Sequence, residues 1–597
     1  MENWLQSGLS AFFAKDLHIH LAVWIFGYLA LLLALGGLCL LAFRAESPAA
    51  PPERTGASWW QAPPSWLVHP AFFWLLAVLG MALLWVPNLS VWEANADESI
   101  WMAGAHTLAE DPRYWLSVDG TTAGPLVIYP LMVLPALGLP LDYGVIRVFN
   151  VLTNAVSTGA LLIFFLTVCR SRAWSLLLTL PYVVLITGIT YVDLIAYNSE
   201  QPSVILLSLG LILVCLALRE KPWLPLLCLF LAGFFLGCLP FAKLQAAPVG
   251  VALALPVAGW LLWQQRWIAA GLFVVGGLAP TGLLALYLTQ AGLWTDFWSS
   301  YITGNLVFAE RGFYNRDLST LWKIRRFLLR VVFFEEFIPW LVAFALVLPF
   351  LFYRAWQRRR EWLAGALPWW PLVVLMLLAG LYVNIRPVTH HVHHYIFTFL
   401  PSALALGLLA WLALRPGDAE PRSAPPWLAI GAFLLAFAVC PGFFLAGRGN
   451  ESLAIVKKNH NRALSPYPWS ERISTLSEPG DRLTVWGFRS NLHVETGLPQ
   501  GTREVMSQFL IQTNEWEEPV GAYYLERYLT DLQRNRPRFI VDITGPEDQY
   551  FRDDKYRIEN YPTIWEFVRE NYDLLSQDDA HRLYELKSPA ALEAPAR

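Results

Sequence analysis

Apolar runs of about twenty residues recur from Leu17 almost to Leu445, and no other feature restricts the fold so strongly. About 20 consecutive apolar residues are what a helix needs to cross the hydrocarbon core of a bilayer. A lipid environment allows only helices or closed barrels to span it, because every backbone N–H and C=O must be satisfied inside the protein. The runs are too long for barrel strands. They predict spans at 17–43, 66–87, 145–169, 173–192, 202–218, 223–241, 246–263, 267–290, 331–353, 366–384, 395–414 and 427–446, about twelve in all. Composition agrees: hydrophobic residues make up 56% of the 597 and charged residues 15%, where soluble domains carry about 25% charged. The net charge of -3 comes with no basic face, which excludes a nucleic-acid partner.

All six cysteines (Cys39, Cys169, Cys215, Cys228, Cys238, Cys440) lie in or at the ends of apolar runs, so neither a disulfide framework nor a cysteine metal site is predicted. The run 17–43 is too long for a signal-peptide core and has no Ala-x-Ala cleavage pattern; it reads as a retained anchor.

Orientation follows from where the short loops keep Lys and Arg. Arg44, Arg54, Arg170, Arg172, Arg219, Lys221, Arg266, Arg354, Arg358, Arg359, Arg360, Arg415 and Arg422 fall in one alternating set. In the opposite set, Asp193 to Gln201 has no basic residue and the turn between the sixth and seventh runs has only Lys243. The first set is therefore expected in the cytoplasm. That expectation puts the connections 88–144 and 291–330, and the tail from 447 to 597, outside it, in a bacterial inner membrane. Trp59, Trp60, Trp85, Trp92, Trp294, Trp298, Trp369 and Trp370 crowd the expected interfaces, as aromatic belts do.

The tail changes character. Strand-like runs at Arg482–Phe488, Arg538–Ile543 and Arg582–Leu586 alternate with helix-like runs at Val520–Arg534 and Thr563–Tyr572, predicting a small α/β domain. The fold class expected is thus a mostly α polytopic bundle (1–446) with an extracytoplasmic α/β domain at its C-terminus (447–597).

Three constellations could carry chemistry. Asp97-Glu98 opens the polar stretch after the second run, just ahead of a segment from Ser99 to Ala109 with helical apolar spacing suited to an interface. A carboxylate here could act as a general base, and its neighbour could raise its proton affinity; acidic pairs in loops are also commonly just solvated. Lys243 sits at the outer end of two tightly joined spans, where it could meet a phosphate or simply snorkel, with Gln245 beside it as a weaker candidate. Arg386, His390, His391, His393 and His394 precede Tyr395 at the mouth of a late span. They could clamp a phosphate, hold a metal or form an interfacial polar collar; His391 and His394, three apart, share a helix face. Asp193 and Tyr197-Asn198-Ser199-Glu200 form another short outer loop that reads first as solvated and second as cavity lining. Arg311 and Arg316, in 291–330, could meet a sugar or phosphate on an interfacial helix and flap.

The acidic pair, the interfacial helix behind it, and the later turn Ala123-Gly124-Pro125-Leu126 resemble the C-type glycosyltransferase superfamily, membrane enzymes that use polyprenyl-phosphate sugars and include protein O-mannosyltransferases and aminoarabinose transferases. The resemblance implies that Asp97 is the catalytic base and that Glu98 orients or helps bind the acceptor or a metal. It implies a basic or His residue near the start of the late helix and a Lys near position 243 at the lipid phosphate. One departure stands out: aminoarabinose transferases have a Lys just before the Pro-Leu turn, where this chain has Ala123-Gly124. The tail, through Trp486-Gly487-Phe488 and Val494-Glu495-Thr496-Gly497, resembles that of uncharacterised bacterial relatives.

The function so implied is transfer, with inversion, of a sugar from a polyprenyl phosphate to an acceptor hydroxyl on a glycan, lipid or protein at the periplasmic face. No soluble nucleotide cofactor is required, and a divalent metal is an open alternative. A transporter or lipid flippase is the rival reading, although no inverted repeat or matched pair of broken helices is visible. A scaffold presenting the tail is a third.

Overall fold

A computed structural model describes residues 17–46, 63–86, 93–189, 191–218, 224–312, 318–334, 337–357, 369–389, 391–415, 427–439, 441, 467, 469–578 and 581–588. His390, Arg316, Trp59, Trp60, Trp92 and the loop cations Arg54, Arg219, Lys221, Arg358, Arg359, Arg360 and Arg422 lie outside the described residues.

Each of the twelve predicted runs holds a helix. Among the described residues, eight helices are long and apolar enough to cross a membrane, and four more apolar helices are shorter: Pro70–Trp85, Pro125–Ala136, Arg172–Gly188 and Trp369–Ile385. The ninth run shows the clearest shift. Residues 331–333 belong to a separate helix, Thr320–Phe333, and the apolar helix starts only at Ile338. Lys323, Arg325, Arg326 and Arg330 make the earlier helix strongly amphipathic: Lys323 and Phe327 are buried and Arg326 and Arg330 half-buried, while Leu321, Leu328, Leu329 and Phe333 are exposed.

Helices Leu224–Ala242 and Trp267–Ala291 pack backbone to backbone. A side chain at Gly233 or Gly237 would run into the carbonyl oxygens of Phe273 and Gly277 at 2.0 and 2.1 Å, so the Gly-x-x-x-Gly pair sets this close approach.

The tail carries a four-stranded mixed sheet, in order β1 (Leu483–Trp486), β2 (Phe539–Asp542), β4 (Arg582–Leu586) and β3 (Tyr572–Gln577). The β1–β2 pair is parallel, with Leu483 opposite Phe539, while β2–β4 and β3–β4 are antiparallel. Both faces are covered, as a parallel pair requires. Leu483, Val485, Phe539, Val541 and Leu583 pack with Ile473 and Leu492 on one side. Trp486, Ile540 and Tyr584 pack on the other with Tyr524, Tyr528 and Leu532 of helix Val520–Asn535 and with Ile564 and Val568 of helix Pro562–Asn571. The three predicted strands and two predicted helices are all present. Tyr572, expected to end a helix, instead opens β3, an edge strand with exposed residues that lacks the continuous burial of β1 and β2.

The tail lies against the connection 93–144. Ser490 Oγ donates to the Ala96 carbonyl at 3.1 Å and the Gln500 N–H to Thr107 Oγ1 at 3.0 Å. A buried ionic network closes the seam: Arg527 pairs with Asp119 at 2.7 Å and with Glu504, while Arg503 pairs with Asp531 at 2.8 Å and Asp296 at 2.7 Å.

Candidate functional site

The Asp97-Glu98 pair begins a helix, Ala96–Glu110. Asn95 caps it by accepting from the Asp97 N–H at 2.9 Å, and the two carboxylates sit in the first turn, where the helix dipole favours negative charge. Adjacent helical residues point about 100° apart, so the pair divides. Glu98 turns inward and is fully buried. Its carboxylate accepts twice from the Arg147 guanidinium, each at 2.7 Å, and from the backbone N–H groups of Ala94 and Tyr197 at 2.9 and 3.0 Å. Glu98 therefore ties three segments together and is absent from the cavity wall that Asp97 lines.

Asp97 opens on a cavity of about 630 Å³. Burial pushes its pKa up to about 7; the Lys243 charge opposes the shift, and Glu200, Asp193 and finally Glu98 add to it. The neighbouring carboxylate, expected from the sequence to raise the proton affinity, does so but is the least of the named causes, with Arg147 paired to it.

The cavity brings together most of the predicted residues: Lys243, Gln245, Arg386, His391 and His394 line it with Asp97. Lys243 is buried where helix Leu224–Ala242 ends, and its ammonium donates to Ser199 Oγ at 2.8 Å and to the Glu200 carboxylate. Gln245 donates to the Val383 carbonyl, joining two helices at the wall. Arg386 is part-exposed and pairs with Glu310 at 2.7 Å. His391 stacks on His393 at 5.1 Å; burial, then the charges of His393, Lys243 and Arg330, hold its pKa well below the usual histidine value, so the ring is neutral. Ala123 bridges Lys243 in an antiparallel pair, and the Gly124 N–H donates to the Ala242 carbonyl at 2.8 Å. The turn that lacks a lysine therefore lies directly against one.

The outer loop read first as solvated is buried instead: Tyr197, Asn198, Ser199 and Glu200 are at most 1% exposed. The cause is Glu200, whose charge is compensated by Lys243 from the next helix pair, a partnership with no local sequence signal. Glu200, His393 and His394 present a carboxylate oxygen and two imidazole nitrogens within 4.8 Å of one another. That donor set suits a divalent transition metal, although the Lys243 ammonium already engages the carboxylate. Arg311 pairs with Glu518 of the tail at 3.1 Å and is not part of the wall.

Sequence reasoning missed Arg147, although a guanidinium within an apolar span is itself a signal. It also missed Arg326 and Arg330, which donate to the Val388 and Thr389 carbonyls at 3.1 and 3.4 Å and so brace the histidine loop. Of the tail's share of the wall (Phe488, Gln508, Phe509, Gln549, Tyr550), only Phe488 lay in a segment that stood out in the sequence, and that segment assigned no chemistry.

No protein-family model matches the chain, and no curated protein matches it in sequence. Solved structures do. ArnT from Cupriavidus metallidurans, an aminoarabinose transferase, matches in a structure bound to undecaprenyl phosphate with a TM-score of 0.51 and 13% identity, over 90% of this chain and all of that one. Its apo structure matches with a TM-score of 0.52 and 13% identity, over 88% of this chain and all of that one. A multi-pass helical bundle, a small C-terminal sheet and this likeness over nearly the whole length give the chain the fold of the C-type glycosyltransferases.

Proposed function

We propose that this protein is a membrane glycosyltransferase that moves a sugar from a polyprenyl phosphate to an acceptor hydroxyl, on the non-cytoplasmic face of a bacterial inner membrane. The observation that carries the reading is one cavity with a carboxylate of raised pKa on the interfacial helix and a basic cluster, Lys243, Arg386 and the histidines, on the bundle. The match to a protein that binds undecaprenyl phosphate supports the donor class.

In this reading Asp97 takes the proton as the acceptor O–H attacks the anomeric carbon. The bond from that carbon to the phosphate oxygen breaks on the opposite face, giving inversion. The lipid phosphate leaves with an added negative charge, which Lys243 and Arg386 offset and which His391 or His394 hydrogen-bonds. Glu98 holds the helix that aims Asp97 and does not touch substrate. A metal at Glu200, His393 and His394 would add positive charge near the same phosphate. The domain division near residue 447 and the placement of the tail outside the cytoplasm belong to this proposal.

Membranes with wild type and Asp97→Asn, given radiolabelled polyprenyl-phosphate sugars, test it. The variant is expected to lose about 10²–10⁴-fold in transfer, the usual contribution of a general base. Full transfer by the variant removes Asp97 from the mechanism, and no transfer by wild type favours a transporter or scaffold.

A further inference from the structure

The cavity has two unlike walls. Among the described residues, the bundle and the connection 93–144 supply the charged residues of the wall: Glu93, Asp97, Asp193, Lys243 and Arg386. The described residues of the tail supply Phe488, Gln508, Phe509, Gln549 and Tyr550, two neutral amides and three aromatic rings. Phe488 and Tyr550 meet edge to face, with ring centroids 4.6 Å apart and planes at 84°.

These rings are held in place. The Asp548 carboxylate accepts from the Phe488 N–H at 2.9 Å and the Tyr550 N–H at 2.7 Å, fixing both rings from one point. Gly487 reaches the required backbone at φ +115, and a side chain there would run into Ile543 and Asp548, so only glycine fits. The Gly487 N–H also donates to Ser507 Oγ at 2.8 Å. The platform lies beside the base: Phe488 packs near Ile100, one helical turn after Asp97, and Ser490 bonds the Ala96 carbonyl.

Resting on the glycosyltransferase reading, we propose that this wall is the acceptor subsite and that the acceptor is a neutral glycan. An aromatic face carries partial negative charge and attracts the slightly positive C–H face of a sugar ring. Side-chain amides offer both donor and acceptor to sugar hydroxyls, and a site that pairs hydroxyls rejects ligands without them. A phosphorylated acceptor would need cations on this wall, and among the described residues the tail places none there. The acceptor sugar stacks on Phe488 or Tyr550, its hydroxyls bond Gln508 and Gln549, and one hydroxyl reaches Asp97.

The test uses the full chain in lipid nanodiscs. Saturation-transfer NMR with maltohexaose, cellohexaose and chitohexaose is expected to show saturable binding for at least one. Phe488→Ala and Tyr550→Ala are expected to weaken it about tenfold, with a matching rise in acceptor KM and a smaller change in kcat, as loss of uniform binding predicts. Phe488→Tyr and Tyr550→Phe keep the rings and are expected to retain binding. All four variants are expected to bind undecaprenyl phosphate as wild type does, which reports that the fold is intact. No binding of any neutral oligosaccharide, indifference to both alanine variants, or preference for a phosphorylated sugar overturns the proposal. In the transfer assay, label on a glycan supports it, and label in protease-sensitive polypeptide or sugar-free lipid overturns it while leaving the glycosyltransferase reading intact. Failure of that reading itself looks different: wild type transfers label to nothing, and the acceptor role falls even where sugar binding persists.

Discussion

Asp97 and Glu98 are neighbours in sequence with opposite surroundings. Glu98 is locked against Arg147, and its oxygens also accept from the backbone N–H groups of Ala94 and Tyr197. Asp97 faces a cavity, Lys243 acts on it more strongly than any other single charge, and burial pushes its pKa up to about 7. The contrast teaches that a buried carboxylate with a guanidinium is architecture, whereas one left in a cavity without such a partner stays available for a proton. The seam with the tail repeats the first case: Arg527 and Arg503 are buried against acidic partners and hold the two walls of the cavity together.

The division of labour breaks most visibly if Glu98 is neutralised. Glu98→Gln leaves Arg147 buried without its countercharge and is expected to cost about 3–5 kcal/mol; the thermal midpoint of the purified protein measures it. Asp97→Asn should not lower that midpoint while transfer falls, so equal losses in both variants would erase the distinction. Arg527→Ala strands Asp119 and Glu504 in the same way, with a cost of the same order or smaller because the loss can be relieved by the tail lifting away; limited proteolysis of the tail should accelerate. Lys243→Met is expected to lower kcat by about 10²-fold, the scale of removing one group that stabilises developing charge, with the acceptor KM less affected. The gentlest test is pH. Only deprotonated Asp97 accepts a proton, so activity should rise through about pH 7 and stand near a tenth of its plateau one unit lower. The stability sign is opposite: the folded state keeps a proton that the unfolded chain releases above its ordinary carboxyl pKa of 3.8, so stability falls as pH rises towards 7. Asp97→Asn removes that decline, and its thermal midpoint should exceed wild type more at alkaline than at acidic pH.

Much of this site could be read from the sequence because its residues announce themselves by being polar where apolar runs end. Lys243, Arg386, His391 and His394 each stand at the mouth of a span, and all line one cavity with Asp97. Glu200 did not stand out, since a glutamate in a short loop looks solvated until its partner 43 residues later is seen. Arg147 was legible and overlooked. The tail's rings carried no chemical signal: Phe488 stood out only within Trp486-Gly487-Phe488, Tyr550 not at all, and only the packing of the tail on the helix Ala96–Glu110 makes them a wall.

The sequence alone determined the bundle, a helix in each of its twelve predicted apolar runs and three of the four tail strands, because bilayer length and side-chain period are local properties written residue by residue. Tertiary structure decided which member of the acidic pair faces the cavity, what neutralises Glu98 and Glu200, and that the tail closes the site. Those outcomes depend on contacts between segments tens to hundreds of residues apart, where burial and charge pairing are set by the fold and leave no pattern in the chain itself.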